Sequence, residues 1–287
     1  MTTAPPDQPN KPQTKPPVIG ADLGTRVVSA LVILPVVGAI VWFGGWPFAL
    51  LVAFVGTVTA WEWGHLVRGS DVDAPFVAQV ATVIAAVVLA AIGQVWLAVL
   101  ATLIGAILVG TLSFGRHGVL SGLGVLFAAL PGVALIALRE DAAHGLAAVT
   151  FVIAAVIATD TLAYFSGRII GGPKLMPRVS PKKTWSGLLG GMTGAAIVGL
   201  VAGFLVTGAS PWNLAMLGAA LAVVAQAGDL AESALKRAFD AKDASALIPG
   251  HGGFMDRIDG LVTAAIAAAV LGMLLDPTNP ARALLTW

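Results

Sequence analysis

The sequence predicts an all-α, polytopic integral membrane protein of about nine transmembrane helices with a cytoplasmic N-terminus. Three observations carry that reading. Of 287 residues, 57% are hydrophobic and only 11% are charged, whereas a soluble domain carries about 25% charged residues. Apolar runs near or above about 18 residues recur along the chain, each long enough for a helix to cross the hydrocarbon core. The Lys and Arg residues fall almost wholly on one side of the resulting topology.

Residues 1–24 include PPDQPNKPQTKPP. This composition buries too little apolar surface to fold alone and predicts a disordered, Pro-rich cytoplasmic tail. It lacks the basic start and apolar stretch of a cleavable signal peptide. Spans follow at roughly 26–44, 46–64, 75–94, 95–114, 119–138, 143–166, 185–207, 213–235 and 257–275. Two divisions, 44–46 and 94–95, are so short that a tight hairpin or a re-entrant segment fits each. The expected organisation is the tail 1–24, N-terminal membrane helices over 25–142, and a C-terminal region over 143–287 that holds the site. With the N-terminus inside, inner segments hold 14 Lys and Arg residues and outer segments hold only Arg139 and Arg282. The opposite orientation inverts that ratio. In span seven, Gly187, Gly190, Gly191 and Gly194 form two overlapping GxxxG pairs, which let helices approach closely in lipid. The absence of Cys excludes a disulfide framework and a Cys metal site. The basic residues are confined to short inner loops, so nothing indicates nucleic-acid binding.

One polar block interrupts this apolar chain, Ser233 to Asp259, with Lys236, Arg237, Asp240, Lys242, Asp243, Asp256, Arg257 and Asp259. Ionisable groups inside a membrane are costly and mark functional sites. Here they are Glu62, Asp160, Asp229, Glu232, Asp256 and Asp259. The topology sets Asp160 late in span six, Asp229 and Glu232 late in span eight, and Asp256 and Asp259 at the opening of span nine. All then lie at the inner ends of their helices. Asp229, Glu232, Ser233 and Lys236 fall at i, i+3, i+4 and i+7, one face of a helix, and Asp160 and Tyr164 are one turn apart. Glu62, between Trp61 and Trp63, reads as an interfacial residue with aromatic anchors. Asp259 also suits a helix-start charge.

Two loops face the same side. Gly167–Trp185 carries Arg168, Lys174, Arg178, Lys182 and Lys183, which suit an anionic partner, although topology alone also demands a basic inner loop. In Ser180-Pro181-Lys182-Lys183-Thr184, a hydroxyl near the helix start can cap it, and free N–H groups there attract phosphate. In Pro249-Gly250-His251-Gly252-Gly253, the glycines let the backbone approach a ligand. His251 suits either a phosphate contact or a backbone bond. Carboxylates together with substrate phosphates are the usual means of holding Mg²⁺, and the His set of a zinc site is missing.

Taken together, Ser233-x-x-Lys236-Arg237-x4-Lys242-Asp243 and Ile248-Pro249-x-His251-Gly252-Gly253-Phe254-x-Asp256-Arg257-x-Asp259 resemble the signature of the phosphatidate cytidylyltransferases, or CDP-diacylglycerol synthases. Gln226-x-Gly228-Asp229-Leu230-x-Glu232-Ser233, Asp160-x-x-Ala163-Tyr164-Phe165-x-Gly167 and Ser180–Thr184 are similar to that family as well. The resemblance is strong over 155–265. It implies attack by a phosphate oxygen of phosphatidic acid on the α-phosphorus of CTP, with pyrophosphate leaving. It further implies Mg²⁺, with a second cation such as K⁺ left open, a homodimer, and a plasma-membrane site facing the cytoplasm. By motif position, Asp229 and Asp256 are the expected metal ligands and form the catalytic set with Lys236 and Arg257. The expected substrate-binding residues are Asp160, Ser180, Lys182, Lys183, Ser233, Arg237, His251, Gly252 and Gly253. Lys242 and Asp243 are expected to pair with one another. One position departs from the family: Ser186 stands where an acid is common. Two other readings are a CTP-dependent polyprenol or phytol kinase, distantly similar, and an ion-coupled transporter that uses the membrane carboxylates.

Overall fold

The computed structural model describes residues 35–115, 117–245, 247 and 252–287. By contacts the chain divides into residues 1–38 and 39–287. Of the first unit only 35–38 are described, and they are helical. The expected tail and residues 26–34 of the first expected span therefore lie outside the described residues.

Residues 35–43 form α1. Helices α2 to α9 follow at Gly45–Arg68, Ala74–Ala91, Val95–Leu112, Gly118–Arg139, Gly145–Ile169, Trp185–Leu205, Pro211–Ala238 and Asp259–Leu275. Each falls within a few residues of its expected span. Among the described residues, seven helices are long and apolar enough to cross a membrane. An eighth candidate is α9 with the short α10, Pro280–Thr286, bent from it by 91°. The all-α, multi-pass reading therefore holds. Large apolar side chains such as Ile107, Phe204 and Leu205 point outward, as expected where lipid replaces water as the solvent.

The two tight divisions are turns between separate helices. Gly44 and Gly45 both take positive φ, 66° and 53°, between α1 and α2, and Gly93 takes 79° between α3 and α4. An L side chain rarely adopts such angles, so the glycines permit reversals of one to three residues. Arg139, at the end of α5, donates to the carbonyls of Val41 and Trp42 at 2.9 and 2.7 Å. It thereby satisfies acceptors that the end of α1 leaves without helical partners. Other ends follow ordinary capping. Gly69 closes α2 in the left-handed conformation. Asp73 accepts from the Phe76 N–H at the start of α3, and Ser210 accepts from the Asn213 N–H at the start of α8.

Helix α5 is the hub of the N-terminal group, packing on α2, α3, α4 and α6 and also on α9. Helices α6, α7 and α8 pack in sequence, and α9 closes against α8. The glycines of α7 explain the tight α6–α7 seam. A Cβ at Gly187, Gly191 or Gly194 would meet the carbonyls of Ala163, Thr159 and Ala158 at 3.0 Å each. The α7–α8 crossing is closer still. A Cβ at Gly199 would lie 1.9 Å from the Leu214 carbonyl oxygen, and one at Gly218 would lie 2.2 Å from that of Ala195. Gly218→Leu should therefore push the two helices apart. The expected loss is about 1–3 kcal/mol from overpacking, read as a lower melting temperature of the detergent-solubilised protein.

Sequence reading did not foresee α10, which buries Ala281, Leu284 and Leu285. It also read Gly167–Trp185 as an irregular loop. That segment contains a two-stranded antiparallel hairpin, β1 (Lys174–Met176) and β2 (Ser180–Thr184). Lys174 pairs with Thr184 and Met176 with Ser180. Backbone bonds from Val179 N–H to Met176 O and from Trp185 N–H to Pro173 O close its two ends.

Candidate active site

The hairpin and the ends of α6, α7, α8 and α9 enclose one cavity of about 650 Å³, within the range of small-molecule sites. Its walls carry both signs of charge. Asp160, Asp229, Asp256 and Asp259 supply carboxylates, and Arg168, Lys174, Lys182, Lys183 and Arg257 supply cations. The ends of four helices thus converge on one cavity.

On α6, Asp160, Tyr164 and Arg168 follow one another by single turns along the cavity wall. Arg168 donates to the Tyr164 hydroxyl at 2.6 Å, and its guanidinium carbon lies 5.9 Å from the ring centre. Both contacts hold the cation along the helix instead of letting it swing outward.

The hairpin leads into α7. Thr184 is the N-cap, and its Oγ1 accepts from the Gly187 N–H at 3.1 Å. This is the capping role expected for the Ser180–Thr184 segment. Lys182 and Lys183 precede the cap and line the cavity, whereas Ser180 sits at the far end of β2 and does not line it. Ser186 also stands off the cavity wall. Its hydroxyl bonds the Gly171 carbonyl and lies 3.0 Å from the Thr184 hydroxyl. The residue that departs from the family pattern thus ties the first turn of α7 to the loop before β1.

On α8, Asp229 meets Lys183 across the cavity, with Oδ2 2.5 Å from Nζ. Its other oxygen accepts from Ser233, one turn along, at 3.3 Å. Glu232 and Lys236 lie behind this wall. The Glu232 side chain is fully buried, and its Oε1 is 3.2 Å from the Lys236 Nζ. Lys236 also bonds Asp256 Oδ1. Arg237 points away from the cavity, is exposed, and donates to the Ala241 carbonyl at 3.0 Å. Among the described residues no ion pair joins Lys242 to Asp243; instead, a Cβ at Gly252 would meet Asp243 Oδ1 at 3.4 Å.

Asp256 opens α9 from a short 3-10 turn, Met255–Arg257. Its Oδ2 accepts from the N–H groups of Gly253 at 2.8 Å and Ala244 at 3.1 Å. Burial pushes its carboxyl up. The Lys236 ammonium and the two N–H groups outweigh burial and hold it below the usual carboxylate range. Gly253 must be glycine here, because a Cβ would lie 2.9 Å from both Asp256 Oδ2 and Glu62 Oε1. Gly252 carries a φ of 83°. His251, Pro249 and Gly250 lie outside the described residues.

Glu62 is the residue that sequence reading misjudged. Its side chain is not held at the surface by aromatic anchors but is fully buried in the protein, at 0% exposure. It bonds Ser245 and the backbone N–H groups of Phe254 and Met255. The available signal was that Glu62 is the only acid inside an N-terminal span.

The donor set suits a hard cation. It consists of carboxylate oxygens, and the chain has no Cys. Among the described residues no three acidic or His side chains form a ready-made cage. The arrangement thus fits an ion held by one or two carboxylates and completed by ligand phosphates. Lys183 and Lys236 neutralise Asp229 and Asp256.

Known proteins share this arrangement of sequence. The profile of the cytidylyltransferase family matches residues 24–275. The phosphatidate cytidylyltransferase of Brucella suis biovar 1 is 36% identical over 264 residues, covering 91% of this chain and 97% of that protein. The phosphatidate cytidylyltransferase of Pseudomonas aeruginosa is 37% identical over 266 residues, covering 87% of this chain and 96% of that protein. That of Mycobacterium bovis is 39% identical over a shorter stretch of 121 residues, 42% of this chain and 40% of that protein. With a match that runs through nearly all of its helices and through every segment around the cavity, the chain belongs to the cytidylyltransferase family.

Proposed function

We propose that the protein transfers the cytidylyl group of CTP to phosphatidic acid, forming CDP-diacylglycerol and pyrophosphate. The observation that carries this reading is the cavity itself. It has room for a nucleotide, lies at the ends of membrane helices, and sets five cations against four carboxylates. One substrate is a lipid whose phosphate lies at the interface, and the other is a soluble nucleotide. A cavity at the helix ends admits both. Conversely, a transport site commonly lies near the midplane.

In the reaction, a phosphate oxygen of phosphatidic acid forms a bond to the α-phosphorus of CTP. The bond from that phosphorus to the bridging oxygen breaks, and the electron pair leaves with pyrophosphate. The nucleophilic phosphate is already anionic near neutral pH, so no strong general base is required. Catalysis is then positioning and charge neutralisation. Lys182, Lys183 and Arg257 face the phosphates. Tyr164 holds Arg168 where a lipid phosphate arrives. Asp229 and Asp256 would hold Mg²⁺, which would supply positive charge to offset that of the leaving pyrophosphate. We assign the cavity to the cytoplasmic face of the plasma membrane, on the 14-to-2 division of Lys and Arg in the sequence. A homodimer would need a face other than the α7 glycines, which α6 already covers.

The test uses purified protein in detergent–lipid micelles with phosphatidic acid, Mg²⁺ and CTP labelled at the α-phosphate. Label is expected in the lipid fraction, in step with pyrophosphate release and dependent on phosphatidic acid. Transfer of a γ-label with CDP release would instead identify a lipid kinase. Intact CTP with no lipid label would overturn both readings.

A further inference from the structure

Glu62 lies on α2, and the segment it bonds lies more than 180 residues later, between α8 and α9. Three donors converge on its one carboxylate: the Ser245 hydroxyl at 2.5 Å, the Phe254 N–H at 2.7 Å and the Met255 N–H at 2.5 Å. All three partners are donors, which matches the acceptor-only inventory of a carboxylate. The next residue, Trp63, packs with Val67, Ala244 and Met255 in one buried cluster. Its indole N–H donates to the Leu120 carbonyl at 2.9 Å. The end of α2 is thus fixed to α5 on one side and grips the α8–α9 segment on the other. That segment continues directly into Asp256 and Arg257, both on the cavity wall. Glu62 itself does not line the cavity.

We propose that Glu62 is a positioning residue, whose buried carboxylate straps residues 245, 254 and 255 to α2 and so sets Asp256 and Arg257 against the substrate phosphates. The two carboxylates divide the work. Asp256 collects the N–H groups of Ala244 and Gly253, and Glu62 collects those of Phe254 and Met255. Together they take up four backbone N–H groups of the described residues around this turn, which buried backbone requires. The N-terminal helices are, on this account, part of the site and more than a membrane anchor. The inference rests on the proposed cytidylyl transfer for its catalytic readout but not for its structural one.

The experiment compares wild type, Glu62→Gln, Glu62→Leu and Ser245→Ala in detergent–lipid micelles. Hydrogen exchange over 252–257 reports the strap, and α-label transfer reports its consequence. A hydrogen bond to a charged group contributes about 1.5–3 kcal/mol, so Glu62→Gln should speed exchange at Phe254 and Met255 by roughly 10–100-fold. Exchange in α3 and α4 should stay at the wild-type rate. Turnover should fall at least about ten-fold in Glu62→Gln and further in Glu62→Leu, while KM for phosphatidic acid stays within about two-fold, because the strap fixes groups instead of binding lipid. Ser245→Ala removes one donor and keeps the carboxylate. It should give a smaller shift of the same kind and keeps the test open should Glu62→Leu fail to fold. Faster exchange without any wild-type transfer would support the strap and count against the proposed reaction. Wild-type exchange at 252–257 in Glu62→Gln, or wild-type turnover in Glu62→Leu, would overturn the proposal.

Discussion

Asp229→Ala is expected to cut cytidylyl transfer by roughly 10²–10³-fold, the loss typical of one preorganised electrostatic group, and to leave the fold intact. Among the described residues Asp229 bonds the side chains of Lys183 and Ser233, so its removal strands no backbone donor. Lys183, which lines the cavity, loses the carboxylate that offsets its buried ammonium. Asp256→Ala should cut transfer at least as far but by two routes. It removes a carboxylate from the wall and also orphans the N–H groups of Ala244 and Gly253. The pair separates chemistry from structure. Both variants should lose lipid labelling, and only Asp256→Ala should also lose hydrogen-exchange protection over 252–257. Near-normal labelling in both would sink the assignment of the site. The pH dependence has a definite sign. The Asp256 carboxyl is held below its ordinary range, so the stability it contributes is present above its unfolded pKa of about 4 and is lost as pH falls through the lower folded value. Protection over 252–257 should therefore persist from pH 8 down to about pH 4 and fade only below it.

Much of the fold was legible because the membrane imposes one rule, that a spanning segment must be a long apolar helix. The starts of α4 and α7 fall on the expected residues, 95 and 185. The two tight divisions could be settled only through backbone angles. Nothing in Phe43-Gly44-Gly45 states that both glycines take positive φ, although glycine was the necessary condition. The hairpin at Lys174–Thr184 was missed for a related reason. Its strands are three and five residues long, too short for an alternating pattern to show. Basic residues set there by topology also masked any periodicity.

The site was legible where its residues share a helix face. The i, i+3, i+4, i+7 spacing of Asp229, Glu232, Ser233 and Lys236 required no tertiary information. Yet that spacing could not tell wall from backing. Asp229 lines the cavity, whereas Glu232 and Lys236 are buried behind it. Motif position likewise grouped Arg237 and Ser180 with the binding residues, although neither lines the cavity. Glu62 was misjudged because its partners are backbone amides of a distant segment. Backbone donors leave no mark in a sequence. Flanking tryptophans suggested an interface, while one of them, Trp63, is buried against the same segment that Glu62 holds.

Lys236→Met should produce the second large effect, and on stability as much as on turnover. The Lys236 side chain is 10% exposed, and its ammonium lies between Glu232 and Asp256. Removing one partner of a buried ion pair leaves an uncompensated charge and costs about 3–5 kcal/mol. Here two carboxylates lose their shared cation at once. Substituting the fully buried Glu232 as well removes one of those stranded charges. Glu232→Gln with Lys236→Met should therefore recover more than half of the lost thermal stability, since a neutral amide replaces a carboxylate that has lost its cation beside an apolar Met. Turnover should not follow. Asp256 still lacks the ammonium that holds Oδ1, so α-label transfer should remain at least about ten-fold down, the scale of one lost charge-assisted hydrogen bond. Recovery of turnover together with stability would mean that Lys236 serves only to offset Glu232. A double variant no more stable than Lys236→Met would mean that Glu232 and Lys236 are not coupled as their 3.2 Å contact indicates.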